Sequence, residues 1–164
     1  MKIRQENRYA ADPELVFAML CDEAFLRRRA ESASSFRHEV SATHSGQTAR
    51  TNLMQVFPAE VPDVVRKLVG ESIELTETIE WEAPGPDRSR VGRISIAVAG
   101  APVTLRGAIT LSLSGTETLQ VVEGELKAAI PLIGGRIEKE AAPAVTHELA
   151  KMERLGAEWL GGAR

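Results

Sequence analysis

An α+β fold, with a curved antiparallel sheet of about seven strands wrapped around a long C-terminal helix, is predicted by three observations. From Phe36 to Ala129 apolar and polar residues alternate with a period of two, broken at short intervals by turn residues, as in an antiparallel meander. From Ile133 to Leu160 the apolar residues recur instead every three or four positions, the pattern of one amphipathic helix. A single strand and two short helices precede the meander, so the order is β-α-α-β6-α in one domain spanning residues 1–164. A meander of this length must curl and bury one face. The C-terminal helix is the only element long enough to cover that face, and a straight helix cannot fill a concave sheet. A cavity between them is therefore expected.

The elements follow in order. Lys2 to Tyr9 alternates, with Ile3, Gln5, Asn7 and Tyr9 on one face and Lys2, Arg4, Glu6 and Arg8 on the other. Asp12-Pro13-Glu14 reads as N-cap, N1 and N2 of a helix whose apolar face carries Val16, Phe17 and Leu20. A second short helix covers Glu23 to Ala30, with Arg27-Arg28-Arg29 read as a solvated face. His44-Ser45-Gly46-Gln47 is turn chemistry between two strands, making a hairpin. Pro58 to Gly70 interrupts the meander, with room for one or two helical turns at Pro62–Val69. Ser72 to Trp81, Arg88 to Val98, Val103 to Leu113 and Thr118 to Ala129 complete the strands, separated by Pro84-Gly85-Pro86-Asp87, Ala99-Gly100-Ala101-Pro102 and Ser114-Gly115-Thr116.

The stretch Ile130-Pro131-Leu132-Ile133-Gly134-Gly135 admits two readings, an anion cradle or a packing device. A cradle usually follows a parallel strand and brings a Lys or Ser/Thr, whereas here an antiparallel strand precedes Arg136-Ile137-Glu138. Packing is favoured: Pro131 suits the first turn of the helix, and both glycines let it approach the strands. On that reading Gly135→Leu alters cavity volume and stability. Pro143 falls inside the helix, frees the Lys139 carbonyl, and marks the place for a bend. Gly161-Gly162 closes the helix as a C-cap.

Composition excludes several classes. The net charge is −3, so no broad basic field attracts nucleic acid or an anionic membrane. One cysteine, Cys21, precludes an internal disulfide and reads as a buried structural thiol. No signal peptide is visible in MKIRQENRY and no window approaches ~18 apolar residues, so a cytoplasmic, reducing setting is expected. His38, His44 and His147 are scattered, without a metal-ligand spacing, and no Walker, dinucleotide-binding or nucleophile-elbow motif occurs. No metal or cofactor is expected.

The element order resembles the START-like superfamily, also called SRPBCC or helix-grip, over essentially the whole chain. Three local features carry the likeness. They are the strand-to-helix passage Tyr9-Ala10-Ala11-Asp12-Pro13-Glu14-Leu15-Val16-Phe17, the Trp81 strand followed by a Pro-Gly turn, and the run Ile130 to Glu138. That last run resembles most closely an uncharacterised actinobacterial family of unknown function within the superfamily. The resemblance implies a deep, largely apolar cavity for a hydrophobic small molecule or lipid. It implies no catalytic residue.

Among candidate ligand-binding residues Glu77 is the most informative. It shares the odd positions of its strand with Ile73, Leu75, Ile79 and Trp81, so it is expected to face the cavity. A buried carboxylate needs a partner or a raised pKa. It is either a ligand-facing acid, a residue turned out by a bulge, or half of an ion pair with an arginine. Gln5 and Asn7, beside Tyr9, offer neutral hydrogen-bonding groups to an apolar site, unless that strand lies at an edge. His38 shares a face with Phe36 and Val40 and reads as a core or cavity-rim histidine. Trp81, Ile133 and Ile137 supply apolar wall.

Three functions remain open. The first is a carrier or sensor that binds a hydrophobic ligand without chemistry. The second is an enzyme of the polyketide cyclase or aromatase type, using Glu77 with Gln5, Asn7 or His38. The third is a protein-binding module using the outer face of the sheet. The sequence leaves monomer and homodimer open.

Overall fold

The computed structural model describes residues 1–162. Its elements are β1 (Lys2–Tyr9), α1 (Pro13–Leu20), α2 (Glu23–Ser32), β2 (Arg37–Ser45), β3 (Thr48–Pro58), α3 (Asp63–Val69), β4 (Ser72–Trp81), β5 (Arg90–Val98), β6 (Val103–Ser114), β7 (Glu117–Ala128) and α4 (Gly134–Leu160). The seven strands form one antiparallel sheet in the order β1-β7-β6-β5-β4-β3-β2. The meander is therefore continuous from β2 to β7, and β1 closes beside β7 with Ile3 opposite Gly124. The expected α+β fold, a curved sheet around a long terminal helix, is the one observed.

Local chemistry explains the elements. Asp12 caps α1 by accepting from the Leu15 amide at 2.9 Å, with Pro13 at the first helical position. Asp22 caps α2 through the Ala24 amide at 2.8 Å. The β2–β3 turn is shorter than the sequence suggests. His44 and Ser45 belong to β2, paired with Ala49 and Thr48, and the loop is Gly46-Gln47 alone. Gly46 has φ +60°, the left-handed first position of a type II′ hairpin that glycine fills without strain.

Close approach dictates three other glycines. A Cβ on Gly107 would overlap the Glu123 carbonyl and the Gly124 Cα, its partner across β6 and β7. A Cβ on Gly156 would run into the Tyr9 ring, so α4 lies directly on β1. The double glycine at the start of α4 divides. A Cβ on Gly134 would overlap the Ala128 carbonyl oxygen, whereas one on Gly135 meets nothing within 4 Å. Only Gly134 is the packing device, and the expectation for Gly135→Leu is corrected: position 135 is open. Gly135→Ala is expected to leave stability unchanged or raise it by up to about 1 kcal/mol, since alanine is the better helix former. A shifted urea midpoint toward lower concentration would contradict this.

Pro131 does not enter the helix. Leu132 adopts φ +71°, which no right-handed helix contains, so Pro131-Leu132-Ile133 form a turn and α4 begins at Gly134. The helix is continuous through Pro143. On the following turn the Thr146 hydroxyl donates to the Ala142 carbonyl at 3.0 Å.

The main core fills one end of the sheet. Phe17 from α1 packs edge-to-face on Trp81 with centroids 5.6 Å apart, and Phe25 from α2 does the same to Trp159 at 5.4 Å. Each such ring buries roughly 1.5–3 kcal/mol of transfer free energy. Buried Arg90 pins this end: its guanidinium stacks 3.6 Å over Phe17 and donates to the Gln47 and Glu82 carbonyls at 2.6 and 3.1 Å. Cys21 lies in this core, where burial pushes its thiol up to about 12. Native protein is expected to resist iodoacetamide at pH 8 and to be alkylated once unfolded, because the thiolate is the nucleophile. Stoichiometric labelling of the folded protein, read by intact mass, would overturn that assignment.

Candidate functional site

α4 packs on β1 and β7 rather than centrally. That leaves the concave faces of β3, β4 and β5 uncovered and opens a cavity of about 550 Å³ beneath the middle of the helix. The volume falls within the usual ~300–1,000 Å³ of small-molecule sites. Leu53, Phe57, Ile73, Leu75, Ile96 and Val98 form the sheet wall, and Ile137, Ala141, Val145, Leu149, Met152 and Leu155 form the helix wall. Exposed lining residues on α4 (Glu140, Ala144, Glu148) and in the loop before α3 (Glu60, Pro62) mark the rim.

A buried ion pair lies in this wall. Arg29 on α2 donates through both Nη1 and Nη2 to the two carboxylate oxygens of Glu77 on β4, each at 3.0 Å. The side chains are only 12% and 9% accessible. Burial alone would lower the guanidinium pKa. The adjacent Glu77 charge and its hydrogen bonds outweigh that, so Arg29 is held above its ordinary value. The second lining cation, Lys151, is also engaged: its Nζ donates to the Ser32 carbonyl at 3.0 Å and to both Glu148 oxygens at 3.3 Å. Gln55 on β3, between Leu53 and Phe57 on the same face, also lines the cavity. Its amide oxygen is buried without a hydrogen-bond partner.

Of the residues singled out in the sequence, Glu77 and Ile137 line this cavity, and the others lie elsewhere for identifiable reasons. Asn7 and Tyr9 do face inward, but α4 sits on top of them. Asn7 Nδ2 donates to Gln120 Oε1 and to the Leu149 carbonyl, both at 2.9 Å, and Tyr9 donates to Gln120 Oε1 at 3.0 Å. Burial holds the Tyr9 phenol above its ordinary pKa, so it stays a neutral donor. Gln5 Nε2 donates to Asn7 Oδ1 at 3.0 Å and extends that chain. Asn7 ties the helix to β1 and Tyr9 lies beneath Gly156, and none of the three is among the residues that line the cavity. Trp81 lies beyond the cavity's end, because Phe17 plugs the sheet there. It borders a separate open groove of about 520 Å³ by the β2–β3 hairpin. His38 is on the edge strand β2, opposite Gln55 but outside the cavity. Ile133 sits before the first turn of α4, packed with Val65, Ala128 and Ile137.

Sequence reasoning missed Arg29, Gln55 and Lys151. The Arg27-Arg28-Arg29 run reads as a solvated face, yet Arg29 falls three and four residues after Leu26 and Phe25, on the buried side of α2. Gln55 shares the period-two face of Leu53 and Phe57, and Lys151 lies four residues before Leu155, so each carried a positional signal. Among the described residues, no group of three or more His, Cys, Asp or Glu side chains is placed to hold a metal ion, and no helix is long and apolar enough to cross a membrane.

Solved structures similar to this chain share the fold. A protein from Thermus thermophilus, TTHA0849, superposes with a TM-score of 0.64 at 18% identity, covering 99% of both chains. A STAR-related lipid transfer protein from Xanthomonas axonopodis gives 0.60 at 15% identity, over 94% of this chain and 83% of that one. Human STARD10 gives 0.63 at 9% identity, over 98% and 64%. These likenesses, at 9–18% identity, show a shared fold. No curated protein matches the chain in sequence. A family model does match, across residues 4–160, and it is described as a protein of unknown function, DUF2505. With nearly its whole length matched and with the helix-grip architecture, the chain belongs to the DUF2505 family.

Proposed function

We propose that the protein binds a hydrophobic small molecule or lipid between α4 and the strands β3–β5, as a carrier or sensor. The observation that carries this reading is the cavity itself: about 550 Å³, walled by aliphatic side chains, with a rim between α4 and the loop before α3. A volume of that size and lining matches sites that bury most of a small apolar ligand. The fold shared with lipid-transfer domains agrees with it. Glu77 and Ile137 belong to the binding wall. The geometry favours binding over acid catalysis by Glu77, because a charged donor engages both of its carboxylate oxygens.

Delipidated protein is expected to gain about 5–10 °C in Tm with a saturating ligand, since a ligand at 100 Kd adds ~2.7 kcal/mol. Ala141→Trp places an indole in the cavity from the helix wall and is expected to weaken binding at least tenfold while the protein still folds. A panel of fatty acids, long-chain alcohols, glycerolipids and polyketides that gives no shift with the wild type would overturn the reading.

A further inference from the structure

The ligand's chemical class is readable from what the cavity wall leaves unpaired; this step rests on the binding reading above. The lining carries two cations, Arg29 and Lys151, and four carboxylates, Glu60, Glu77, Glu140 and Glu148. Both cations are committed to carboxylates, Arg29 to Glu77 and Lys151 to Glu148. Among the described residues no lining cation is left to receive an anionic head, and entry passes carboxylates at the rim. A ligand carboxylate or phosphate would therefore be buried without a counter-charge, which is among the costliest placements for an ion. A cationic head is no better served inside, since the inner carboxylate, Glu77, already holds a guanidinium. Glu140 is drawn outward to Arg136 at 3.0 Å.

Two uncharged polar side chains line the cavity, Thr104 and Gln55. Of the two, the Gln55 amide, opposite Leu75 and two residue pairs from Glu77, is the one whose oxygen is buried and unpartnered. An amide offers one acceptor and two N–H donors. It is satisfied by a neutral group that both donates and accepts. We propose that the site selects neutral amphiphiles with a hydroxyl-type head, seated on Gln55, over fatty-acid anions and alkyl cations of equal length.

Three probes with one tail test this: dodecan-1-ol, dodecanoate and dodecylammonium at pH 8, measured by displacement of cavity-bound N-phenyl-1-naphthylamine. Dodecan-1-ol is expected to bind at least tenfold tighter than either ion to the wild type. In Gln55→Leu the alcohol's affinity relative to that of the dye is expected to fall about three- to tenfold, the share of one neutral hydrogen bond, with the urea midpoint reporting whether the variant is folded. If neither the dye nor any probe binds the wild type, the cavity-binding reading falls and this one with it. If the dye binds but dodecanoate or dodecylammonium matches or exceeds the alcohol, the head-group selection is overturned and the cavity reading stands. That comparison needs no variant, so it decides even if Gln55→Leu does not fold. An alcohol preference unchanged in a folded Gln55→Leu protein would remove Gln55 from the assignment.

Discussion

Arg29→Met is expected to lower stability by about 3–5 kcal/mol, the usual cost of removing one partner from a buried ion pair. For a domain of this size the Tm should fall by roughly 6–20 °C. The cause is the carboxylate left behind: Glu77 is 7% exposed, and both of its oxygens lean on the guanidinium that is lost. A further result follows from that cause. The double variant Arg29→Met, Glu77→Leu should recover most of the loss, since a buried pair replaced by apolar residues is often neutral or better. Urea denaturation of the three proteins at pH 8 measures all of this. A single-variant loss below about 1 kcal/mol, the ceiling for an exposed pair, would show that the pair is solvated in practice and would remove the charge-balance argument for the cavity.

Gly107→Ala should be the other severe change, costing about 3 kcal/mol or more. The added methyl would overlap backbone, the Glu123 carbonyl and the Gly124 Cα, rather than a movable side-chain end. β7 cannot step aside, because β6 holds it on one side and β1 on the other, with Gly124 opposite both Gly107 and Ile3. A urea midpoint unchanged from wild type would mean that the sheet is less tightly drawn together at this point than described.

The strand meander and the long helix were legible because each repeats one period over many residues. The inward direction of Glu77 was legible for the same reason: alternation fixes which face a strand residue takes. What alternation does not contain is where the helix lies across the sheet. Asn7 and Tyr9 do point to the concave side, but α4 rests on β1 and β7 and seals them, so the cavity opens over β3–β5 instead. Nor does periodicity say how far α1 reaches in. Phe17 against Trp81 decides that the sheet is solid at one end and hollow at the other. Arg29 was hidden by its company, since three consecutive arginines read as a surface whichever one of them turns inward. The same limit split the double glycine. Its place at a strand–helix junction was readable, but only the distance to Ala128 separates the constrained Gly134 from the free Gly135.

In mechanical terms α4 is a beam resting on two supports. Near its start, Gly134 lies against the Ala128 carbonyl and Glu138 accepts from the Ala128 amide at 3.0 Å. Farther along, the Leu149 carbonyl is tied to Asn7, Gly156 seats on Tyr9 and Trp159 meets Phe25. The span between Ile137 and Leu149 crosses the cavity, and Pro143, which contributes no amide to the ladder, stands near its midpoint. The stiffness of the cavity roof is thus set separately from its anchorage: the span between the supports, held by the side chains of Ala141, Ala142 and Val145 and lacking one ladder amide, is where the beam bends most easily, and bending there changes the enclosed volume.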